Sequence, residues 1–270
     1  PRLWLVLPDS FRFGAESARI HEGLRRATDW LLCANVPFGV INEESLDRLP
    51  ADAQALVWPL AVCPGDAAFD RVASFVARGG RLLLTGDPRF DENRKPTRLD
   101  RLQRLGFAPV AEAPVPPFAQ KGLVPDAAFN VASNGVVVWL PSPLELLDET
   151  GDTGRAQVKR FVDACSGVSR IRASVDDGSL LVFDVALRNG RALAGVNMAE
   201  SSRQVTIPAH GGYPEVRAGL AAGRTLYVML AVHREALFGR GPRGPRGGRP
   251  AGAPGQGRFR GSQPPGRGPP

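Results

Sequence analysis

The sequence predicts a doubly wound α/β sheet followed by a small antiparallel β domain. Three observations carry this. Strand-like and helix-like segments alternate with short joints through the first 110 residues. From Ser169 onward the apolar period switches to two, between turn dipeptides. From residue 239 the chain becomes Gly, Pro and Arg and loses the apolar content a core needs. The expected boundaries are therefore an α/β domain over 1–167, a β domain over 168–238 and a disordered tail over 239–270.

Leu3-Trp4-Leu5-Val6-Leu7 reads as the first strand, and Ile20, Leu24, Ala27 and Leu31 mark one face of a helix of about twenty residues. Phe38–Ile41 is a short second strand, leading into the polar turn Asn42-Glu43-Glu44-Ser45. Ala55–Ala61 is apolar almost throughout, as a strand covered on both faces requires. Phe69, Val72, Ala73 and Val76 predict a helix that stops at Gly79-Gly80, with the strand Arg81–Thr85 directly after it. Leu99, Leu102 and Leu105 predict a further helix ending at Gly106. Five prolines between 109 and 125 predict an irregular excursion, Val136–Leu140 rejoins the sheet, and a helix over Arg155–Cys165 closes the domain.

In the second region Ile171–Val175, Leu180–Leu187, Arg191–Met198, Gln204–Ile207, Glu215–Ala218 and Thr225–Leu230 read as strands. Asn189-Gly190 between two of them is the strongest hairpin signal in the chain.

An apolar fraction of 43% with 23% charged residues is that of a globular protein, and no run reaches the roughly 18 to 20 apolar residues of a membrane span. No membrane partner is expected. The net charge of +7 invites a nucleic-acid reading until it is located. Seven arginines and no acid lie from residue 240 onward, and without them 27 basic residues face 27 acidic ones. Only Arg246-Gly247-Gly248 matches an RNA-binding Arg-Gly-Gly pattern, and aromatic interleaving is nearly absent, so no nucleic-acid partner is expected. Cys33, Cys63 and Cys165 are odd in number and far apart, which fits neither a disulfide framework nor a metal site. Cys33 and Cys165 fall on apolar helix faces as small core residues, and no metal or cofactor is expected. The first strand begins almost at residue 1, so the start reads as a cut at a domain edge of a longer chain. A cytoplasmic location is the expectation.

Several segments together carry a family resemblance. Leu31-Leu-Cys-Ala-Asn-Val-Pro-Phe-Gly-Val-Ile-Asn-Glu-Glu44 precedes a strand reaching Trp58-Pro59-Leu60. Phe75-Val-Ala-Arg-Gly-Gly80 then leads to a strand into Thr85-Gly86-Asp87, and Asp91-Glu92-Asn93 and Leu105-Gly106-Phe107 follow. This order resembles the glutamine-amidotransferase-like, flavodoxin-like trimerisation domain of family 42 glycoside hydrolases of the β-galactosidase type. In that family the domain follows a catalytic (β/α)8 barrel and precedes a small β-sandwich. The resemblance implies a non-catalytic accessory and oligomerisation region, a self-associating chain (a trimer in that family), and carbohydrate met only through the parent enzyme. The alternative is a stand-alone flavodoxin-like module that binds a ligand or partner and has no glycosidase attached.

The candidate sites follow from chemistry. Cys63, in Ala61-Val62-Cys63-Pro64-Gly65, stands where an amidotransferase of this fold places its nucleophile. Ala61 replaces the elbow glycine, Pro64 has no N–H for an oxyanion hole, and no His lies between His21 and His210 to serve as base. Cys63 is thus expected to be a degenerate nucleophile position, with His21 a surface residue and no catalytic residue in the chain. The loop Thr85–Arg94 follows the carboxyl end of a strand, where open α/β sheets bind ligands. Asp87, Arg89, Asp91 and Asn93 are its binding candidates, against a solvated loop held by its own Asx turns; Arg89 and Phe90 are candidate interface anchors, with a place in the core as the alternative for Phe90. Glu43-Glu44 and Asp176-Asp177 are expected to be solvated turn acids.

Overall fold

The computed structural model describes residues 1–9, 12–97, 100–108, 128–132, 135–147, 151–187, 190–209 and 214–231. The expected Pro-rich excursion, Leu99 and the tail lie outside the described residues. Pro1–Val232 forms one compact unit.

Six strands make the main sheet: β1 (Leu3–Leu7), β2 (Phe38–Asn42), β3 (Ala55–Trp58), β4 (Arg81–Thr85), β5 (Ala128–Ala132) and β6 (Gly135–Leu140). Their order is β2-β1-β3-β4-β6-β5. The first five are mutually parallel, and β5 pairs antiparallel with β6 at the edge. The helices are α1 (Ser17–Cys33), α2 (Asp66–Ala77), the short α3 (Asp100–Arg104) and α4 (Leu144–Leu147), and α5 (Asp152–Ala164); a 3-10 turn covers Glu43–Arg48.

All four residues of β3 are buried, and their alternation divides them between two cores. Leu56 and Trp58 pack with Phe69, Val72 and Val76 of α2 and with Leu102 and Leu105. Ala55 and Val57 pack with Ala27 and Leu31 of α1 and with Val158 and Phe161 of α5. The continuous apolar run is therefore the signature of a strand with helices on both faces. Burying each large side chain contributes about 1.5 to 3 kcal/mol, so the two cores supply most of the cohesion.

Asn35, one residue past the α1 cap, joins this sheet to the second region. It sits at φ 51, a left-handed position that ends helices and that Asn tolerates. Its buried amide acts as a strand would: Val182 N–H donates to Oδ1 at 2.7 Å, and Nδ2 donates to the Leu180 carbonyl at 3.1 Å.

The second region contains β7 (Leu180–Leu187), β8 (Gly190–Asn197), β9 (Arg203–Ile207), β10 (Val216–Leu220) and β11 (Thr225–Ala231). These form one sheet of order β11-β8-β7 and a pair β10-β9, enclosing Ile171, Leu180, Val182, Leu193, Val205, Ile207 and Leu220. Two expectations need correction. The register pairs Leu187 with Gly190, so Gly190 already belongs to the strand rather than to the turn. Ile171–Val175 is not a strand: Ser174 N–H donates to the Thr206 carbonyl, but Thr206 N–H is met by the Ser174 hydroxyl. A side-chain oxygen replaces the backbone acceptor, and the ladder cannot propagate.

Candidate functional site

Successive strands run from β1 to β2 on one side and from β3 to β4 and β6 on the other. The order reverses between β1 and β3, and the carboxyl ends there are where an open α/β sheet offers a crevice. A cleft of about 340 Å³ lies at this point, lined by Asp9 after β1, Glu43 and Glu44 after β2, Gly65 and Ala68 at the start of α2, Arg71 and Glu92.

Glu43 is the buried acid of the cleft, 4% exposed. Its Oε1 accepts from Trp58 Nε1 at 2.8 Å and its Oε2 from the Asp9 N–H at 3.0 Å. Asp9 Oδ2 in turn accepts from the Glu44 N–H at 3.1 Å. Desolvation dominates and pushes the Glu43 carboxyl up to about 7, against the lowering effect of these hydrogen bonds. The expectation of two solvated acids is thus half wrong. Glu44 is exposed, whereas the 3-10 turn folds Glu43 under the β3 end, where Trp58 needs an acceptor. Asp176 and Asp177 do lie exposed in a turn, paired with Arg170 and Arg203 respectively.

The loop after β4 is held from within. Asp87 and Arg89 are each 5% exposed and form a bidentate pair, Nε to Oδ1 at 2.9 Å and Nη2 to Oδ2 at 2.8 Å. Asp91 Oδ1 accepts from the Asn93 N–H at 2.9 Å and the Lys95 N–H at 2.8 Å, an Asx turn that leaves Asn93 exposed. Arg89 and Phe90 are both buried at 5%, so Arg89 is not the exposed interface anchor expected of it and Phe90 takes its alternative, a place in the core. Arg101 clamps the loop from below. Its Nη1 donates to the carbonyls of Pro64, Pro88 and Phe90, and its guanidinium stacks on Phe69 at 5.0 Å.

Cys63 lies three residues beyond the strained point of the strand-to-helix elbow. That point is Leu60, at φ 55, a left-handed position that bulky residues avoid. Its N–H donates to Thr85 Oγ1 at 2.9 Å, and the same hydroxyl donates to the Glu145 carboxylate at 2.8 Å. The elbow therefore presents an apolar, fully buried side chain. The Cys63 thiol is also buried, and desolvation pushes it up to about 12, so it is protonated and enclosed at neutral pH, the opposite of an activated nucleophile. His21 is exposed, Cys165 is buried as expected, and Cys33 is only half-buried.

Glu145 is 1% exposed, and burial pushes it up to about 7. It escaped the sequence reading, although a lone acid inside Leu144-Glu145-Leu146-Leu147 is the signal that could have found it. Glu43 and Arg101 left less trace, because their partners come from distant segments. Among the described residues no group of three or more His, Cys, Asp or Glu could hold a metal ion. A larger groove, about 910 Å³, runs along α2 toward the amino ends of β3 and β4, and Arg71 lines both it and the cleft.

No protein-family model matches the chain, and no curated protein matches it. Solved structures do. A catalytic mutant of a family 42 β-galactosidase from G. stearothermophilus superposes with a TM-score of 0.59 at 15% identity, over 85% of this chain and 40% of that one. The β-galactosidase of Bacillus circulans sp. alkalophilus gives 0.56 at 14% identity, over 85% and 41%. That of the haloarchaeon Halorubrum lacusprofundi gives 0.56 at 14%, over 85% and 40%. At such identities the likeness is one of fold. This chain spans about two fifths of the length of the structures it matches.

Proposed function

We propose that this chain is a non-catalytic accessory and self-association region of a multi-domain, β-galactosidase-like glycoside hydrolase. The observation that carries the reading is the fold likeness, which takes in 85% of this chain but only about 40% of family 42 β-galactosidases. In the proposed reading, residues 1–167 are a flavodoxin-like, glutamine-amidotransferase-like domain and 168–238 a β-sandwich. The five parallel strands, in the order β2-β1-β3-β4-β6, support this by following the flavodoxin-like progression. The elbow supports the lack of amidotransferase chemistry, since Leu60 fills the strained position and Cys63 is a buried, protonated thiol. Carbohydrate would be met through the catalytic barrel of the parent enzyme.

Two measurements test this. The coding sequence upstream of Pro1 should encode a (β/α)8 barrel in the same reading frame. The chain alone should hydrolyse neither an aryl β-galactoside nor glutamine; turnover abolished by Cys63→Ala, Glu43→Gln or Glu145→Gln would overturn the reading. The cleft at the β1/β3 crevice favours the second reading, a ligand-binding module. A panel of mono- and disaccharides that raises the melting temperature of the chain, with the effect lost in Glu44→Ala and Arg71→Ala, would support that instead.

A further inference from the structure

The groove of about 910 Å³ along α2 is built in two parts. Its floor is apolar: Leu49 and Ala53, partly buried, lie against the same core that Phe75 of α2 enters. Its rim is cationic. Arg71, Ser74 and Arg78 follow one another at intervals of three and four residues and so form one stripe along α2 and its cap. Arg81, at the start of β4, opens on the same groove. Seven residues of helix set Arg71 and Arg78 about 10.5 Å apart along the axis.

The charge of this rim is not neutralised. Arg71 donates to the Glu44 carbonyl, Arg81 donates to the Ala164 carbonyl and the Ser166 hydroxyl, and Arg78 has no partner among the described residues. Carbonyl and hydroxyl acceptors leave the charge of a guanidinium in place, and none of the three meets a described carboxylate. The arginines of α1 are different: Arg19, Arg25 and Arg26 are ion-paired to Glu16, Glu22 and Asp29. Two acids line the groove as well. Asp70 is held by Arg104 at 2.7 Å, which leaves Asp47, on the 3-10 turn, as the unpaired one. Three unpaired cations against one unpaired anion make an excess of positive charge above an apolar floor.

We infer that this groove docks an extended acidic segment of another protein, with apolar side chains on Leu49 and Ala53 and carboxylates at Arg71, Arg78 and Arg81. The inference goes beyond the proposed function and does not depend on it. Charge complementarity and the floor together choose the occupant. A lone inorganic anion meets the arginines but leaves the apolar floor in water. An uncharged apolar segment covers the floor but strips water from guanidinium groups that then have no counter-charge. Single-stranded nucleic acid stacks its bases on exposed aromatic rings, and the aromatic of this groove, Phe75, is buried in the core at 6% exposed. An extended chain advances about 3.3 Å per residue, so about three residues span the distance from Arg71 to Arg78. The planar guanidinium accepts a carboxylate in a two-pronged contact, and at an exposed rim such contacts are weak singly and are screened by salt.

Fluorescence anisotropy on the full chain, with a labelled short peptide that alternates glutamate and leucine, tests the inference. Binding should weaken roughly three- to tenfold in Arg78→Ala and in Ser74→Glu. Both side chains are exposed, so circular dichroism should be unchanged. The same peptide with lysine for glutamate should bind the wild type less well, and Arg78→Glu should reverse that preference. A photoreactive benzophenone in place of one leucine should crosslink to residues 47–54 and 71–81. No binding, equal binding in all variants, or crosslinks confined to other segments (the arginines beyond residue 240 included) overturns the groove as the site. A lysine peptide that binds the wild type as well as the glutamate peptide overturns the charge selection. A short oligothymidylate that binds more tightly than the peptide, and loses affinity in Arg78→Ala, makes the groove a nucleic-acid site and overturns the peptide. A barrel encoded upstream of Pro1, or its absence, changes none of these outcomes.

Discussion

Replacing Glu145 by Gln should stabilise the fold above neutral pH and leave it unchanged in acid. Glu145 is enclosed between α1, α4 and the end of β4, with its carboxylate facing the Thr85 hydroxyl. Burial raises it from an ordinary 4.5 to about 7. Between those values the folded chain holds a proton that the unfolded chain has released. Stability from this group is therefore fully present below about 4.5, falls as pH rises to about 7, and is level beyond. About 2.5 pH units at about 1.4 kcal/mol each gives a loss of roughly 3 kcal/mol. Gln keeps the shape of the neutral acid and still accepts from Thr85, but does not titrate. Denaturant unfolding at pH 4, 6 and 8 should show the two proteins equal at pH 4, and Glu145→Gln ahead by up to about 3 kcal/mol at pH 8. In melting temperature that is a gain of roughly 6 to 12 °C for a unit of this size. Glu43 titrates over a similar range in both proteins and cancels from the difference. Parallel stability curves from pH 4 to 8 would refute the reasoning, since they would mean that the Glu145 carboxyl is solvated or charged at no cost.

Thiol labelling of the native chain at pH 7.5, followed by mass spectrometry, should mark half-buried Cys33 first and reach Cys63 and Cys165 only on unfolding; a Cys63 that reacts as fast as Cys33 would contradict its burial. At the elbow, Leu60→Ala should cost about 2 to 5 kcal/mol from the emptied core. Leu60→Gly should be no worse and better by about 1 kcal/mol, because glycine relieves the left-handed backbone at φ 55. A Gly variant less stable than the Ala variant would show that the elbow carries no strain.

Much of the fold could be read from local pattern. The unbroken apolar run at Ala55–Trp58 predicted a strand covered twice, and the two cores on either side of β3 are what that means in space. The spacing along α2 and the glycines after it placed a helix and its end, and Asp91 two residues before Asn93 held its Asx turn. These features depend on backbone period and on groups within a few residues, which the order of residues sets directly. The candidate site was less legible because its determinants are long-range. Glu43 reads as one of two turn acids until Trp58, fifteen residues on, turns its indole to it. Glu145 and Thr85 lie sixty residues apart, and Arg101 reaches the Pro64 carbonyl thirty-seven residues back. The second sheet makes the same point, since a period of two assigns side chains to opposite faces without saying which face is covered. With Leu180-Leu181-Val182-Phe183 apolar on both alternations, only the position of β9 and β10 decides which face is core. Desolvation is a property of everything around a group at once, and that surrounding exists only after the chain has folded.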